Sequence, residues 1–93
     1  MQEFDGKVVL VTGFGSGIGR AVAVAFAAQG ARVVGLSRRT GPGEEVAAQI
    51  KALGGEALFM ATDVGDAEAV QLAVGQAITQ FGGIDVAVNS AGI

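Results

Sequence analysis

Val8-Val9-Leu10-Val11-Thr12-Gly13-Phe14-Gly15-Ser16-Gly17-Ile18-Gly19 changes character twice within twelve residues. Val8 to Val11 is an unbroken apolar run, the composition of a parallel strand covered on both faces. Gly13, Gly15, Gly17 and Gly19 follow at once, and Ala21, Val22 and Phe26 carry on as a helix. A strand that feeds a helix N-terminus through glycines forms an anion site. The orphan N–H groups of the first turn and the positive end of the helix dipole face one point. A bound phosphate is therefore the first expectation about this chain.

Outward from that stretch the same alternation repeats. The first strand covers about residues 7–12 and the first helix 17–29, with Gly30 suited to the left-handed conformation that ends helices. Residues 31–36 read as a second strand. Thr40-Gly41-Pro42-Gly43-Glu44-Glu45 marks a second helix start, with Pro near the first position and two acids in the first turn. Val46, Ile50 and Leu53 share its apolar face, and Gly54-Gly55 stops it. Residues 57–62 form a third strand, and Asp66 reads as the N-cap of a third helix. That helix carries Val70, Val74, Ala77, Ile78 and Phe81 as its stripe and closes at Gly82-Gly83. Residues 84–89 are a fourth strand, with Val86 and Val88 to one side and Ile84 and Ala87 near the core.

Strands alternating with helices over short connections argue for an α/β fold with a parallel sheet. Right-handed crossovers place the first two helices on one face if the chain moves outward from strand 1 to 3. Returning past strand 1 to strand 4 puts the third helix on the other face. The expectation is a partial doubly wound, Rossmann-like sheet in the order 3-2-1-4, truncated after strand 4. Its switch point, between strands 1 and 4, is where open α/β sheets bind ligands. The glycine turn and Asn89-Ser90-Ala91-Gly92 both flank that crevice.

Composition narrows the functional classes. One domain at most fits in 93 residues, here 51% hydrophobic and 16% charged with a mean hydropathy of +0.53. That is apolar for a small free-standing domain, which has much surface for its volume. The net charge of −3 argues against nucleic acid, whose binders carry a basic footprint. Without Cys there is no disulfide or thiolate chemistry, and without His the commonest general base and metal ligand are missing. No metal-ligand cluster, carboxylate pair or nucleophile with a base stands out. The N-terminus lacks the pattern of a signal peptide, and no apolar run approaches the roughly 20 residues of a membrane helix. A cytoplasmic chain with no membrane partner is expected. Glu44, Glu45, Asp66 and Glu68 are read as helix-start charges acting on the dipole.

The glycines are spaced GxxxGxG at Gly13, Gly17 and Gly19, with Gly15 added. GxGxxG is absent, because Ile18 and Arg20 stand where a third glycine would be needed. The P-loop is excluded, since no Gly-Lys-Ser/Thr triplet occurs. Thr12-Gly13-Phe14-Gly15-Ser16-Gly17-Ile18-Gly19 instead matches TGxxxGIG. With Thr62-Asp63-Val64 after strand 3 and Asn89-Ser90-Ala91-Gly92 after strand 4, the chain resembles the short-chain dehydrogenase/reductase family over its whole length. The resemblance implies that residues 1–93 are the N-terminal part of a dinucleotide-binding Rossmann domain. Gly13, Gly15, Ser16, Gly17, Ile18 and Gly19 would hold the cofactor, with Asp63 and Val64 at the adenine and Asn89, Ala91 and Gly92 beside strand 1. Two positions depart from the family pattern. Ser90 replaces an Asn, and Phe14 stands where a small residue is usual, which is expected to alter how the loop meets the cofactor.

The end of strand 2 selects the cofactor. An NAD site places an acid there for the ribose hydroxyls, yet residues 31–39 contain none. Ser37-Arg38-Arg39 suits a 2′-phosphate instead, because the planar guanidinium matches its oxygens. NADP is expected over NAD. The family's catalytic Ser and Tyr-x-x-x-Lys are not in this chain, which has no Tyr, so no catalytic residue is assigned within it. The expected function is the cofactor-binding half of an NAD(P)-dependent oxidoreductase, inactive alone, whose full-length form transfers hydride between carbonyl and alcohol groups of a small substrate. The alternative is a stand-alone nucleotide-binding or structural module, a homo-oligomer that closes the open edge of strand 4. A methyltransferase would want the same missing acid.

Overall fold

Seven elements alternate along the chain in the computed structural model, which describes residues 3–15 and 17–90. They are β1 (Val8–Thr12), α1 (Gly17–Ala28), β2 (Arg32–Ser37), α2 (Thr40–Ala52), β3 (Glu56–Ala61), α3 (Ala67–Phe81) and β4 (Val86–Asn89). All pairings are parallel, and the sheet order is β3-β2-β1-β4. The fold is the expected Rossmann-like α/β sheet, with its switch point between β1 and β4.

The first four residues of β1 are buried, and their side chains alternate between two cores. Val9 and Val11 join Val33, Ala23 of α1, and Val46, Ala47 and Ile50 of α2 on one face. Val8 and Leu10 join Val34, Leu36, and Ala73 and Ala77 of α3 on the other. A strand hydrophobic at every position is thus explained by helices on both sides. Each fully buried aliphatic or aromatic side chain contributes about 1.5–3 kcal/mol relative to exposure.

The helix ends follow their local chemistry with one exception. Asp66 caps α3 as expected, its Oδ1 accepting from the N–H groups of Glu68 at 3.0 Å and Ala69 at 3.2 Å. Gly82, with φ +88°, ends that helix by donating to the Ile78 carbonyl. The exception is α2. It begins at Thr40, so Thr40-Gly41-Pro42-Gly43 is itself the first turn, and Glu44 and Glu45 lie one turn further in. Pro42 is tolerated there because the first-turn N–H groups have no partner within the helix.

At β4 the expected placement of Ala87 near the core does not hold. Val86 and Val88 pack on the α1/α2 side and Ile84 against the α3 core, but Ala87 is exposed. The reason is where α3 lies: its small residues Ala73 and Ala77 sit over β1 and β2, leaving that face of β4 uncovered. Ile78, expected in the buried stripe, is likewise 48% exposed. Among the described residues, no helix is long and apolar enough to cross a membrane.

Candidate functional site

The glycine turn is held by close approach of main chain to main chain. Gly13 turns the chain with φ +64°, and the N–H of Phe14 donates to the Leu36 carbonyl of β2 at 3.3 Å. Gly19, buried in the first turns of α1, sits directly on Gly13: a Cβ added there would overlap the Gly13 carbonyl and stand 2.9 Å from Ser90 Oγ. Gly15 meets α2 instead, where an added Cβ would lie 2.9 Å from Pro42 Cβ. Gly17 differs from both, since an added Cβ would meet no described atom within 4 Å. No described residue fills the space beside the first residue of α1. Ile18, next to it, is 48% exposed and belongs to neither core.

Two clefts flank the end of β1. One, of about 260 Å³, is lined by Gly13, Gly15, Ser37, Arg38, Arg39 and Pro42. Ser37 Oγ donates to the Arg39 carbonyl at 3.1 Å, which folds the loop between β2 and α2 back on itself. Arg38 and Arg39 are exposed, and the side chain of Arg39, at the N-cap position of α2, makes no capping hydrogen bond. Cationic side chains and a helix N-terminus therefore meet at one place, an arrangement that favours an anion. The second cleft, of about 350 Å³, includes Thr12, Val64, Val70, Val88 and Asn89 in its lining.

The turn after β4 is tied to β1. Thr12 Oγ1 donates to Asn89 Oδ1 at 2.8 Å, and the buried Ser90 donates its hydroxyl to the Thr12 carbonyl. Ser90 at this position thus supplies one of the bonds that join the two strand ends. Asp63 is exposed, and its Oδ1 accepts from the Gly65 N–H at 2.9 Å, so one carboxylate oxygen shapes the turn before α3. Val64 packs on the α3 core and faces the second cleft. The structure therefore gathers Gly13, Gly15, Ser37, Arg38 and Arg39 at one cleft, and Val64 with Asn89 at the other. Ser16, Ala91 and Gly92 lie outside the described residues. Among the described residues, no group of His, Cys, Asp or Glu could hold a metal ion.

Phe14 is turned away from the site. It does not line either cleft; its side chain is fully buried in the α1/α2 core. Its ring stacks on Phe59 of β3, with centroids 6.0 Å apart and planes at 15°. No local signal in the sequence shows this, because the partners lie on other strands.

The model of the short chain dehydrogenase family matches residues 7–93. The chain belongs to that family. Short-chain dehydrogenase relatives include a 3beta-hydroxysteroid dehydrogenase of Mediterraneibacter gnavus, 45% identical over 100% of this chain and 34% of its own length. A solved short chain dehydrogenase from Mycobacterium avium superimposes with a TM-score of 0.95 at 44% identity, over 100% of this chain and 35% of that one. A metagenomic short-chain oxidoreductase solved in complex with NADP gives a TM-score of 0.91 at 37% identity, over 97% of this chain and 41% of that one. This short-chain dehydrogenase sequence spans about a third of the length of the curated relatives it matches.

Proposed function

We propose that the chain is the N-terminal, cofactor-binding part of an NADP-dependent short-chain oxidoreductase that interconverts carbonyl and alcohol groups of a small substrate. The observation that carries this reading is the first cleft: the glycine turn that opens α1 and the loop Ser37-Arg38-Arg39 line the same space. The family match and the NADP complex among the similar structures support a nicotinamide dinucleotide there.

The residues present fit such a group. Beside Gly17 the described residues leave room for a pyrophosphate against the N–H groups of the first turn of α1. Arg38 and Arg39, with the N-terminal end of α2, would hold a 2′-phosphate by charge-assisted hydrogen bonds. Val64 and Asn89 would border the adenine and nicotinamide halves respectively, and Ile18 would cover the pyrophosphate. Asp63 would accept from the adenine edge with the carboxylate oxygen that its turn leaves over. The cofactor, when bound, would donate the hydride in its reduced form and accept it in its oxidised form. This chain's own part is to bind and orient it, and the proton is assigned to residues outside these 93, since the chain has no Tyr.

The test is calorimetric titration of the full chain with NADP and NAD, and with adenosine 2′,5′-bisphosphate and AMP. Tighter binding of NADP, together with competition by the bisphosphate alone, is the expected result. Equal affinity for NADP and NAD overturns the 2′-phosphate assignment, and no binding of either overturns the cofactor reading. A second reading, an assembled module without catalysis, is favoured by the edge strand β4, which among the described residues pairs with β1 alone. It requires a multiple of the 9.2 kDa mass in solution and no dinucleotide binding.

A further inference from the structure

Phe14 is the one large side chain between Gly13 and Gly17 of the turn, and it points away from the clefts into the core. Its place there depends on an absence. At Gly35 of β2 the ring takes the place of a side chain, for a Cβ added there would lie only 2.2–2.4 Å from Cγ, Cδ2 and Cδ1 of Phe14. Phe59, stacked on Phe14, stands in the same relation to Gly43 of α2: a Cβ at Gly43 would lie only 2.1–2.5 Å from Cε1, Cζ and Cδ1 of Phe59. Two phenylalanines and two glycines thus interlock from the glycine turn, across β2 and β3, to the first turn of α2. Gly15 closes the circuit by its own contact with Pro42. The loop that carries Arg38 and Arg39 lies between these fixed points, joined to the turn by the bond from Phe14 N–H to the Leu36 carbonyl.

We propose that Phe14 is a positioning residue for the dinucleotide: its ring, seated on Gly35 and stacked on Phe59, sets the spacing between the glycine turn and Arg38-Arg39. The inference rests on the NADP reading above and deepens it. NADP would be gripped at two points in this cleft, its pyrophosphate at the start of α1 and its 2′-phosphate at the arginines. NAD would be gripped only at the first. A rigid spacing therefore matters more to NADP, and loosening the interlock lowers the preference between the two cofactors. A purely structural role for Phe14 would weaken both equally by lowering the folded fraction.

The experiment measures the NADP:NAD affinity ratio of the full chain by titration, with thermal unfolding of each variant in parallel. Phe14→Ala is expected to lower the ratio by about tenfold, the scale of one misaligned charge-assisted hydrogen bond. Gly35→Val, which expels the ring, is expected to lower it similarly. The double variant Phe14→Ala/Gly35→Val, in which the new side chain fills the vacated slot, recovers at least half of the loss on a logarithmic scale. Phe14→Leu, which keeps an apolar side chain in the slot, is expected to lower the ratio about threefold and decides the matter if the alanine variant does not fold. An unchanged ratio in every folded variant overturns the inference while leaving the cofactor reading intact. Failure of the double variant to recover overturns the interlock. A wild-type chain that binds neither dinucleotide overturns the cofactor reading and this inference together.

Discussion

The two ends of the sheet each carry a hollow between strand and helix termini, and the larger hollow is the poorer anion site. At the amino ends of the strands it measures about 420 Å³ and includes Asp5, Gly30, Arg32, Gly54 and Glu56 in its lining, against about 260 Å³ for the arginine-lined one of the two clefts at the carboxyl ends. What differs is direction and pairing. At the amino end α1 and α2 finish, so their carbonyls and the negative ends of their dipoles face it, partly closed by bonds from Gly30 to Ala27 and Gly54 to Lys51. Arg32 is engaged there by Glu56 at 3.1 Å and lies over the Phe81 ring at 5.6 Å. At the carboxyl end both helices begin, two exposed arginines border the space, and the side chain of Arg39 makes no capping bond to α2. Volume does not choose the site; the polarity of the crossover helices does.

That contrast can be broken most forcefully through one glycine at each end. Gly19→Ala drives a methyl group into the Gly13 carbonyl and is expected to lower dinucleotide affinity at least about a hundredfold, as forced main-chain separation does. Gly54→Ala meets no atom within 4 Å, but φ is +89° there, so it loses about 1–2 kcal/mol of stability with affinity unchanged. Titration beside urea unfolding separates the two effects; equal affinity losses at both ends would erase the distinction.

Charge reversal sharpens the comparison further. Arg38→Asp is expected to move the NADP:NAD affinity ratio by about tenfold or more towards NAD. Arg32→Asp at the other end leaves that ratio where it was. Competition with adenosine 2′,5′-bisphosphate is the readout, and a ratio unmoved by Arg38→Asp removes that side chain from the site.

The smallest effects concern stability alone. Asp66→Ala removes the acceptor for Glu68 and Ala69 N–H and is expected to lose about 1 kcal/mol in denaturant unfolding. Glu56→Gln breaks a solvated pair whose side chains are 40% and 61% exposed, and should change stability by less than about 0.5 kcal/mol. A larger loss at Glu56 than at Asp66 would mean that the amino end is held by charge after all.

The strand order and the face of each helix were legible because each depends on local patterns: apolar runs, glycine stops and the handedness of crossovers. The same holds for Asp66, whose capping partners are two and three residues away. The start of α2 was read late, since Gly41, Pro42 and Gly43 are poor helix formers. They hold a helical turn because Gly15 and Phe59 pack against Pro42 and Gly43. Ala87 was misplaced for a similar reason, as its burial depended on where α3 came to rest.

Sequence by itself determined the Rossmann-like sheet, the family and the gathering of glycines and arginines at one end of it. Those follow from short-range periodicity and from motifs that sit at predictable ends of strands. Tertiary structure alone decided where Phe14 points. Its slot is made by a missing side chain at Gly35 and a ring at Phe59, and such complementary space exists only once three strands and a helix have packed.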